Sequence, residues 1–406
     1  MHFRKEPVAL MFKHSLTDNT IHYLALIEEQ RAALDRVGPL PRIWMGRTRQ
    51  DLEVEAVSAS TRMEGVPVTV GEARRILAGD VPPGVTAENA ALVDGYRDAM
   101  RYVLARADDP HFAWHTELIL AIHHRVLAAS HAHGAGRLRD RQDWVASGET
   151  GAQVYLPPAA GEVPQLMDQL AGWLSTFNGP APAGAALAHV SLAAIHPFRD
   201  GNGRTARILA SLVMYRAGYQ APRFTSLEEW WGRHLPDFYT AFECLGERWE
   251  PAADVTRFIE AHACAQATQV AALSLRNATD HAVWTVLADI AVHDLGLNER
   301  TTHALYDGFF AREVTNRYYR GLAEVSDVTA SHDLGKLAAS GMMVQRGAGR
   351  SAHFVGTSRL MQAVARATQL DERSIDPDSP LATQRNRLLT GLTQRLHGDA
   401  SPGERC

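Results

Sequence analysis

The sequence contains very little cysteine and no long hydrophobic run. Its 406 residues include three cysteines, Cys244, Cys264 and Cys406, which are too few and too scattered for a disulfide framework or a zinc knuckle. No stretch of about 20 uninterrupted apolar residues could span a bilayer, and charged residues interrupt any signal-peptide core near the N-terminus. These absences predict a soluble, cytoplasmic protein with no membrane partner.

An excess of positive charge is also missing. The formal net charge is -5, which argues against electrostatic binding of nucleic acid or membrane by the chain as a whole. The length suits two or three domains, and 46% hydrophobic residues are enough to build sizeable cores. Partners must therefore be sought in local motifs.

Hydrophobic residues recur mostly at the 3.6-residue spacing of helices, and strand-like alternation is rare. Helices are predicted over residues 20–37, 47–63, 88–107, 114–130, 162–178, 184–195, 204–218 and 226–242. The extended pieces WVAS and QVYL, which flank Gly148 and Gly151, predict a small β-hairpin. We therefore expect a mainly α fold.

The most informative stretch is HPFRDGNGRTAR, which spans His196–Arg207. Pro197 predicts that the preceding helix ends at or before His196, and a further helical pattern follows the stretch. The DGNG sequence at 200–203 would then form a tight turn at a helix N-terminus, where glycines permit positive φ and backbone N–H groups attract an anion. A phosphate group fits such a site.

The charged side chains of the stretch suit nucleotide chemistry. Arg204 and Arg207 lie on one face of the first helical turn, which favours a phosphate between them. Asp200 is a hard ligand for Mg²⁺, and His196, with an ordinary pKa of about 6.5, can accept a proton near neutral pH. Taken singly, Asp200 could be a helix N-cap and His196 a packing residue. Their order within one short run favours nucleotide transfer to a hydroxyl.

The stretch resembles the signature of the Fic-domain family, His-Pro-Phe-x-(Asp or Glu)-Gly-Asn-Gly-Arg-x-x-Arg, and matches every defined position. The resemblance extends over a core from about Ala87 to Glu250. It implies an all-helical core with a β-hairpin flap. It also implies transfer of AMP from ATP to a Ser, Thr or Tyr hydroxyl of a target protein, with release of pyrophosphate.

The resemblance assigns a role to each residue of the motif. His196 would deprotonate the attacking hydroxyl, and Asp200 would hold Mg²⁺ between the α- and β-phosphates. Arg204 would reach the phosphates and Arg207 the γ-phosphate. The phosphates would be cradled by Gly201, Asn202 and Gly203, with the Asn202 side-chain amide as a further donor.

A second match concerns regulation. STRMEG, which includes Ser60, Glu64 and Gly65, resembles the inhibitory-helix motif of the family, (Ser or Thr)-x-x-x-Glu-(Gly or Asn). The resemblance implies that Glu64 pairs with Arg207 and leaves ATP in an unproductive pose. We therefore expect an autoinhibited enzyme. In some members of the family the same glutamate supports removal of AMP, so the net direction stays open.

The residues that would bind the target protein and the nucleobase are indicated less specifically by the sequence. The flap at Gln153–Leu156 could pair with an extended target segment by β-augmentation, and a plain surface hairpin is the alternative. Trp230 and His234 are taken to occupy positions where the family has a tyrosine and an asparagine near the base. Trp230 could stack on the base, but the departure leaves the preference for adenine open.

The histidines His123, His124, His131 and His133 cluster in HHRVLAASHAHG without acidic or cysteine partners. A metal site would need such partners in a suitable arrangement. We therefore predict no metal site there.

The C-terminal part changes in character past Asp280. A helix, turn and helix followed by two short strands around Gly347 and Gly349 predict a winged-helix module. VTASHDLGKLAASGMM would be its recognition helix, but acidic and basic residues balance in the module. Protein docking or homodimerisation is therefore preferred to DNA binding.

Four segments are predicted: an N-terminal helical segment with the inhibitory motif (1–86), a Fic catalytic core (87–278), a winged-helix module (279–358) and a C-terminal helix with a flexible tail (359–406). Two functional alternatives stay open. One is a DNA-binding regulator whose Fic domain only senses ATP. The other is a Fic transferase with a different donor, such as UTP or a phosphocholine donor.

Overall fold

The computed structural model describes residues 12–36, 42–127, 134–147, 150–219, 227–370, 375–376 and 378–397. Helices dominate this part of the chain, and its strands form two small antiparallel hairpins. The predicted mainly α fold is therefore confirmed. Within the same residues, no helix combines the length and the apolar character needed to cross a membrane.

The described α-helices fall into two compact units, one built mainly from Trp44–Leu273 and the other from Ser274 onward. The helices that lie wholly or mainly in the first unit are α1 (Asp18–Arg36), α2 (Arg42–Met63), α3 (Val70–Leu77), α4 (Ala87–Ala107), α5 (Thr116–Val126), α6 (Val163–Thr176), α7 (Ala181–Ile195), α8 (Asn202–Arg216), α9 (Glu228–Arg233), α10 (Leu235–Ala241) and α11 (Thr256–Asp289). The remaining helices are α12 (Thr302–Phe309), α13 (Asn316–Ala323), α14 (Asp327–Ala339), α15 (Ser358–Ala367) and α16 (Leu381–His397).

Helix α8 lies at the centre of the first unit. One side of the helix, including Leu209 and Met214, packs into a core shared with α6, α7 and α11. The other side, including Ile208 and Leu212, packs into a core shared with α3, α4 and α5. A helix that is apolar on both sides is buried, so the arginines in its first two turns are also withdrawn from solvent.

The first hairpin pairs β1 (Val145–Ala146) with β2 (Gln153–Tyr155) in antiparallel register. Its inner end is anchored, because the Tyr155 hydroxyl donates to Ala194 O at 3.1 Å and the Leu156 N–H donates to Glu247 O at 2.9 Å. Val154, directly before these two anchors, is 49% exposed. The predicted hairpin is present, and its predicted turn residue Gly148 lies outside the described residues.

The helix predicted over residues 226–242 is divided in the structure. Helices α9 and α10 are separated at His234, which has φ -125° and ψ 48°. Pro236 causes the break, because it has no N–H to donate to the preceding turn and its ring disfavours helical backbone just before it. One continuous hydrophobic pattern therefore forms two short helices.

The second unit contains α12, α13 and α14 followed by β3 (Met343–Arg346) and β4 (His353–Gly356), which pair antiparallel. Val314, between α12 and α13, forms an antiparallel bridge to Phe354. This order is the one expected of a winged helix. The winged-helix assignment and the four segment boundaries remain predictions.

Candidate active site

His196 is held at the exit of α7 by its own backbone. It adopts the left-handed conformation, with φ 47° and ψ 58°, which is uncommon for a residue other than glycine. Its N–H donates to Leu192 O at 3.0 Å, and its carbonyl accepts from Arg139 Nε at 2.8 Å. The helix ends where Pro197 predicts, and two hydrogen bonds fix the direction of the exit.

Asn202 closes the loop between α7 and α8. Its Oδ1 accepts from the Phe198 N–H at 2.9 Å, and its Nδ2 donates to the Phe198 carbonyl at 2.8 Å. Gly201 enters α8 with φ 76°, a conformation that favours glycine. The Asn202 amide, predicted as a phosphate donor, is thus engaged with Phe198 in this structure and shapes the turn.

The His123 side chain packs against the loop between α7 and α8. Its ring stacks on Phe198 with centroids 3.6 Å apart and planes at 4°. Its Nδ1 accepts from the Gly136 N–H at 2.9 Å, so its Nε2 carries the proton that it donates to Asp200 O, also at 2.9 Å. Burial lowers the pKa of His123 to about 4, so the ring is neutral at physiological pH.

The supporting role of His123 could not be read from the sequence, because its partner Asp200 is 77 residues away. Among the described residues, no group of three or more His, Cys, Asp or Glu side chains could hold a metal ion. Two histidines of the predicted cluster, His131 and His133, lie outside the described residues.

Replacing His123 with alanine is expected to lower the free energy of unfolding near neutral pH by about 2–4 kcal/mol, because the ring stack and the donor to Asp200 O are lost. Burial lowers the pKa of His123 from 6.5 to about 4, so the unfolded chain binds this proton more readily and wild-type stability falls as pH drops through that window. The variant should lose less stability there. Urea unfolding at about pH 7 and about pH 5 measures both effects, and equal pH dependence would contradict the assignment.

Asp200 and Arg204 present opposite charges to the same space. Asp200 Oδ1 accepts from the Gly201 N–H at 2.6 Å and from Arg204 Nη2 at 3.1 Å, and its side chain is 40% exposed. Arg204 is 2% exposed, yet its Nε and Nη1 have no hydrogen-bond acceptor in the described part of the chain. Buried donors without acceptors are costly. An anion would satisfy them, and the exposed carboxylate suits a hard cation beside it.

Arg207 is held by the end of α2. Its Nε and Nη2 donate to Ser60 Oγ at 3.0 and 2.9 Å, and Nη2 also donates to the Ser60 carbonyl at 3.2 Å and to Glu64 Oε1 at 2.9 Å. The Arg207 side chain is 3% exposed and that of Glu64 is 25% exposed. The structure thus places Glu64 next to Arg207, the pairing that the resemblance of STRMEG to the inhibitory-helix motif implies.

The Glu64 carboxylate lies against the first turn of α8. A β-carbon placed on Gly203 would collide with Glu64 Oε1 and would lie 3.1 Å from Arg207 Nη1. Gly65 follows with φ 80°, the left-handed turn that commonly ends a helix, so the chain leaves the site directly after Glu64. The carboxylate therefore occupies the position where a helix N-terminus attracts an anion.

The His196 side chain is partly buried. Its Nδ1 lies 3.4 Å from Ala193 O. Burial lowers the pKa of His196, and the carboxylate of Asp143 opposes this effect only in part. Asp143 was not predicted as a site residue. It lies 53 residues before His196, and an aspartate in a loop gives no indication in the sequence that the two side chains are neighbours.

The aromatic residues of α9 and α10 differ in their surroundings. The Trp230 ring stacks on His234 with centroids 3.7 Å apart and planes at 21°, so one face of the predicted base-stacking ring is occupied. Tyr239 is 58% exposed. Partial burial raises the pKa of Tyr239, and the charges of Glu64 and Arg207 also act on it. Tyr239 is thus an exposed aromatic residue near the site. The hydrophobic periodicity of the sequence did not distinguish it from the buried aromatic residues of the core.

Comparison with known proteins agrees with the motif. The Fic/DOC family model matches residues 113–214. The protein adenylyltransferase Fic of Nematostella vectensis is 29% identical over 233 residues, 52% of this chain and 53% of that protein. The protein adenylyltransferase fic-1 of Caenorhabditis briggsae is 33% identical over 162 residues, 39% of this chain and 31% of that protein. The chain spans about half the length, or less, of these curated relatives.

Solved structures share the fold. A Fic family protein from Desulfovibrio desulfuricans G20 aligns with a TM-score of 0.59 and 20% identity, over 87% of this chain and 98% of that one. A Fic domain containing signaling protein from Bacteroides thetaiotaomicron aligns with a TM-score of 0.54 and 21% identity, over 62% and 95%. The segment matched by the family model includes the whole His196–Arg207 motif, and the chain therefore contains a Fic domain at residues 113–214.

Proposed function

We propose that this protein is a Mg²⁺-dependent protein adenylyltransferase that transfers AMP from ATP to a Ser, Thr or Tyr hydroxyl of a target protein, and that Glu64 restrains it. The observation that carries the proposal is the buried Arg204, which has two unpaired donors beside the half-exposed carboxylate of Asp200 and one loop away from His196. This combination supports binding of a polyphosphate with a metal ion next to a base.

The phosphate chain of ATP would bind at the N-terminus of α8. Arg204 would donate to it through Nε and Nη1, and the backbone N–H groups of the first turn would add partial positive charge. Asp200 would hold Mg²⁺, which supplies neutralisation of phosphate charge when bound. One carboxylate is sufficient, because Mg²⁺ commonly takes its other ligands from phosphates and water.

His196 would accept the proton of the target hydroxyl. Its Nδ1 faces Ala193 O, which leaves Nε2 to act as the base. The hydroxyl oxygen then bonds to the α-phosphorus, and the bond from that phosphorus to the bridging oxygen breaks. Pyrophosphate leaves with the electron pair. Proton removal of this kind contributes about 10² to 10⁴ in rate.

Glu64 would oppose this reaction by occupying the γ-phosphate position. Its carboxylate bonds to Arg207 and lies against Gly203, so ATP and Glu64 compete for the same cationic group. The same carboxylate could also direct a water in removal of AMP, so wild-type protein is tested in both directions.

The flap would hold the target. Gln153 and Val154 are exposed on β2, and an exposed strand edge can pair with an extended segment of another protein by β-augmentation. A hydroxyl carried by such a segment would be presented to His196, because Tyr155 ties the flap to the end of α7.

Labelled ATP tests the proposed reaction. The Glu64→Gly variant with Mg²⁺ and a lysate should label protein from ATP carrying the label at the α-phosphate and not at the γ-phosphate. Mixing the labelled product with unlabelled wild-type protein shows whether the wild type removes AMP. Transfer from UTP or from a phosphocholine donor, with none from ATP, would overturn the choice of donor.

The pH dependence of transfer is a further expectation. In the Glu64→Gly variant, the acidic limb of the rate should lie below pH 6.5, the ordinary pKa of histidine, because burial lowers the pKa of His196. The neutral form, which accepts the proton, then persists at lower pH and is lost only as pH falls through the shifted pKa. Initial rates between about pH 5 and about pH 8 measure the limb, and a midpoint above 6.5 would contradict a buried base.

DNA binding by the second unit is a second candidate function, favoured by its order of helices and hairpin. Helix α14 has an exposed face, on which Val328 is 78% exposed, and Lys336 and Arg346 are also exposed. Asp327 and Glu324 reduce the local positive charge. A salt-dependent shift of duplex DNA at submicromolar protein would support this candidate.

A further inference from the structure

A chain of polar side chains leads from Arg207 into the core of the first unit. Arg207 donates to Ser60 Oγ, and the Tyr96 hydroxyl donates to Glu228 Oε1. The Ser60 hydroxyl links the two pairs, since it lies close enough to the Tyr96 phenol to act on its pKa. Ser60, Tyr96 and Glu228 are at most 1% exposed. The four side chains come from α8, α2, α4 and α9, so tertiary packing assembles the chain.

The direction of each hydrogen bond follows from the donors available. A guanidinium can only donate, so Ser60 Oγ accepts from Arg207 and its own proton is left for a nearby acceptor such as the Tyr96 oxygen. Burial raises the pKa of Tyr96 well above its ordinary value, so the phenol keeps its proton and donates it in a hydrogen bond to the Glu228 carboxylate. The donors Arg207 and Tyr96 thus both point in the direction of Glu228, and aligned hydrogen bonds strengthen one another.

Glu228 also provides a charge opposite to that of Arg207. Both residues line a cavity of about 20 Å³ together with His189 and His262. Burial lowers the pKa of His262 to about 3 and that of His189 well below its ordinary value, so both rings are neutral. Among the described residues that line the cavity, Arg207 and Glu228 are thus the charged pair.

The two carboxylates near Arg207 are placed differently. Glu64 is partly exposed at the end of α2 and can leave when a phosphate arrives. Glu228 is 1% exposed and cannot reach solvent without unfolding its surroundings. A buried guanidinium without a counter-charge is unstable. Glu228 can therefore remain beside Arg207 in the restrained and in the ATP-bound enzyme.

We propose that Tyr96 and Glu228 are positioning residues for Arg207, and that they hold its guanidinium in place through Ser60 when Glu64 has left. This inference rests on the proposed function, in which Arg207 contacts the γ-phosphate of ATP. ATP then binds more tightly than ADP because Arg207 is already oriented for the additional phosphate. The pair acts on nucleotide binding and does not touch the reacting atoms.

The test compares two nucleotides in the Glu64→Gly background. Calorimetric titration with Mg²⁺ measures the Kd of α,β-methylene ATP, which cannot transfer AMP, and the Kd of ADP. Tyr96→Phe keeps the ring but removes the phenolic hydroxyl, and it should weaken the ATP analogue about tenfold, about 1.4 kcal/mol, with ADP unchanged. Glu228→Leu should act similarly, and Glu228→Gln, which keeps an acceptor, should restore part of the affinity.

A matched control lies in the second unit. Tyr319 is fully buried and donates to Asp333 Oδ2 at 3.0 Å, so Tyr319→Phe makes the same chemical change at another tyrosine–carboxylate pair. It should alter neither Kd. Equal weakening of the ATP analogue and ADP by Tyr96→Phe would indicate a general structural defect, and no weakening of either would show that the chain of polar side chains is not needed. Either result would overturn the proposal.

Failure of the proposed function gives a different result. If the Glu64→Gly parent itself binds the ATP analogue no more tightly than ADP, the contact of Arg207 with the γ-phosphate is wrong. The positioning role is then judged without nucleotide, by amide hydrogen exchange in the segment 54–63 of α2. Faster exchange in Tyr96→Phe than in Tyr319→Phe would support the chain of polar side chains, and equal rates would overturn it.

Discussion

Replacing Glu64 with glycine is expected to raise automodification by at least about tenfold. In the structure the Glu64 carboxylate bonds to Arg207 at 2.9 Å and lies against Gly203, where it would repel the phosphates of ATP. Removing it frees a buried guanidinium for a charge-assisted bond to the γ-phosphate, and a tenfold change corresponds to about 1.4 kcal/mol. The initial rate of labelling from ATP labelled at the α-phosphate measures the effect.

Two further variants isolate the charge of Glu64. Glu64→Gln keeps the size of the side chain and should give an intermediate rate, because a neutral amide binds Arg207 less strongly. Glu53→Gln is the matched control, since Glu53 also lies on α2 and forms an ion pair with Arg101 at 2.9 Å. It should leave the rate unchanged. Labelling by Glu64→Gly at or below the wild-type rate would count against a restraining role for the carboxylate.

Loss of the His196 imidazole should produce the largest decrease in transfer. In the Glu64→Gly background we expect a reduction of about 10² to 10⁴, because the hydroxyl then has no positioned base. His196 has φ 47°, and asparagine tolerates this conformation better than alanine. His196→Asn is therefore the more informative variant, because it removes the base with less strain on the loop.

Nucleotide binding separates a chemical defect from a structural one. The Kd of ATP should change little in His196→Asn, because the phosphates bind to α8 and not to the imidazole. His124→Ala serves as the control, since His124 is an exposed histidine on α5, and it should retain full labelling. Labelling by His196→Asn within about threefold of its parent would rule out His196 as the base of this reaction.

The central loop was predictable because its determinants are adjacent in sequence. Pro197 ends α7, Gly201 supplies the positive φ, and α8 begins at Asn202, all within the HPFRDGNGRTAR run. Backbone sterics and hydrogen bonds within a few residues decide such a turn. The same is true of most helices, whose hydrophobic spacing reports which face is buried.

Prediction was less successful where a competing local effect or a choice of partner intervened. The hydrophobic pattern of 226–242 indicated one helix, but Pro236 divides it into α9 and α10. Asn202 has the groups needed to bind phosphate, yet its amide bonds to Phe198. Residue chemistry alone does not decide which of two available partners an amide will take.

The sequence by itself determined the mainly α fold, the loop between α7 and α8, and the identity of the charged groups on it. Only the tertiary structure decided which distant residues meet them. Glu64 reaches Arg207 across 143 residues, and Tyr96 reaches Glu228 across 132. The first contact was expected through a family motif and the second had no signal in the sequence, because hydrophobic periodicity reports burial but does not report which buried polar groups will face each other.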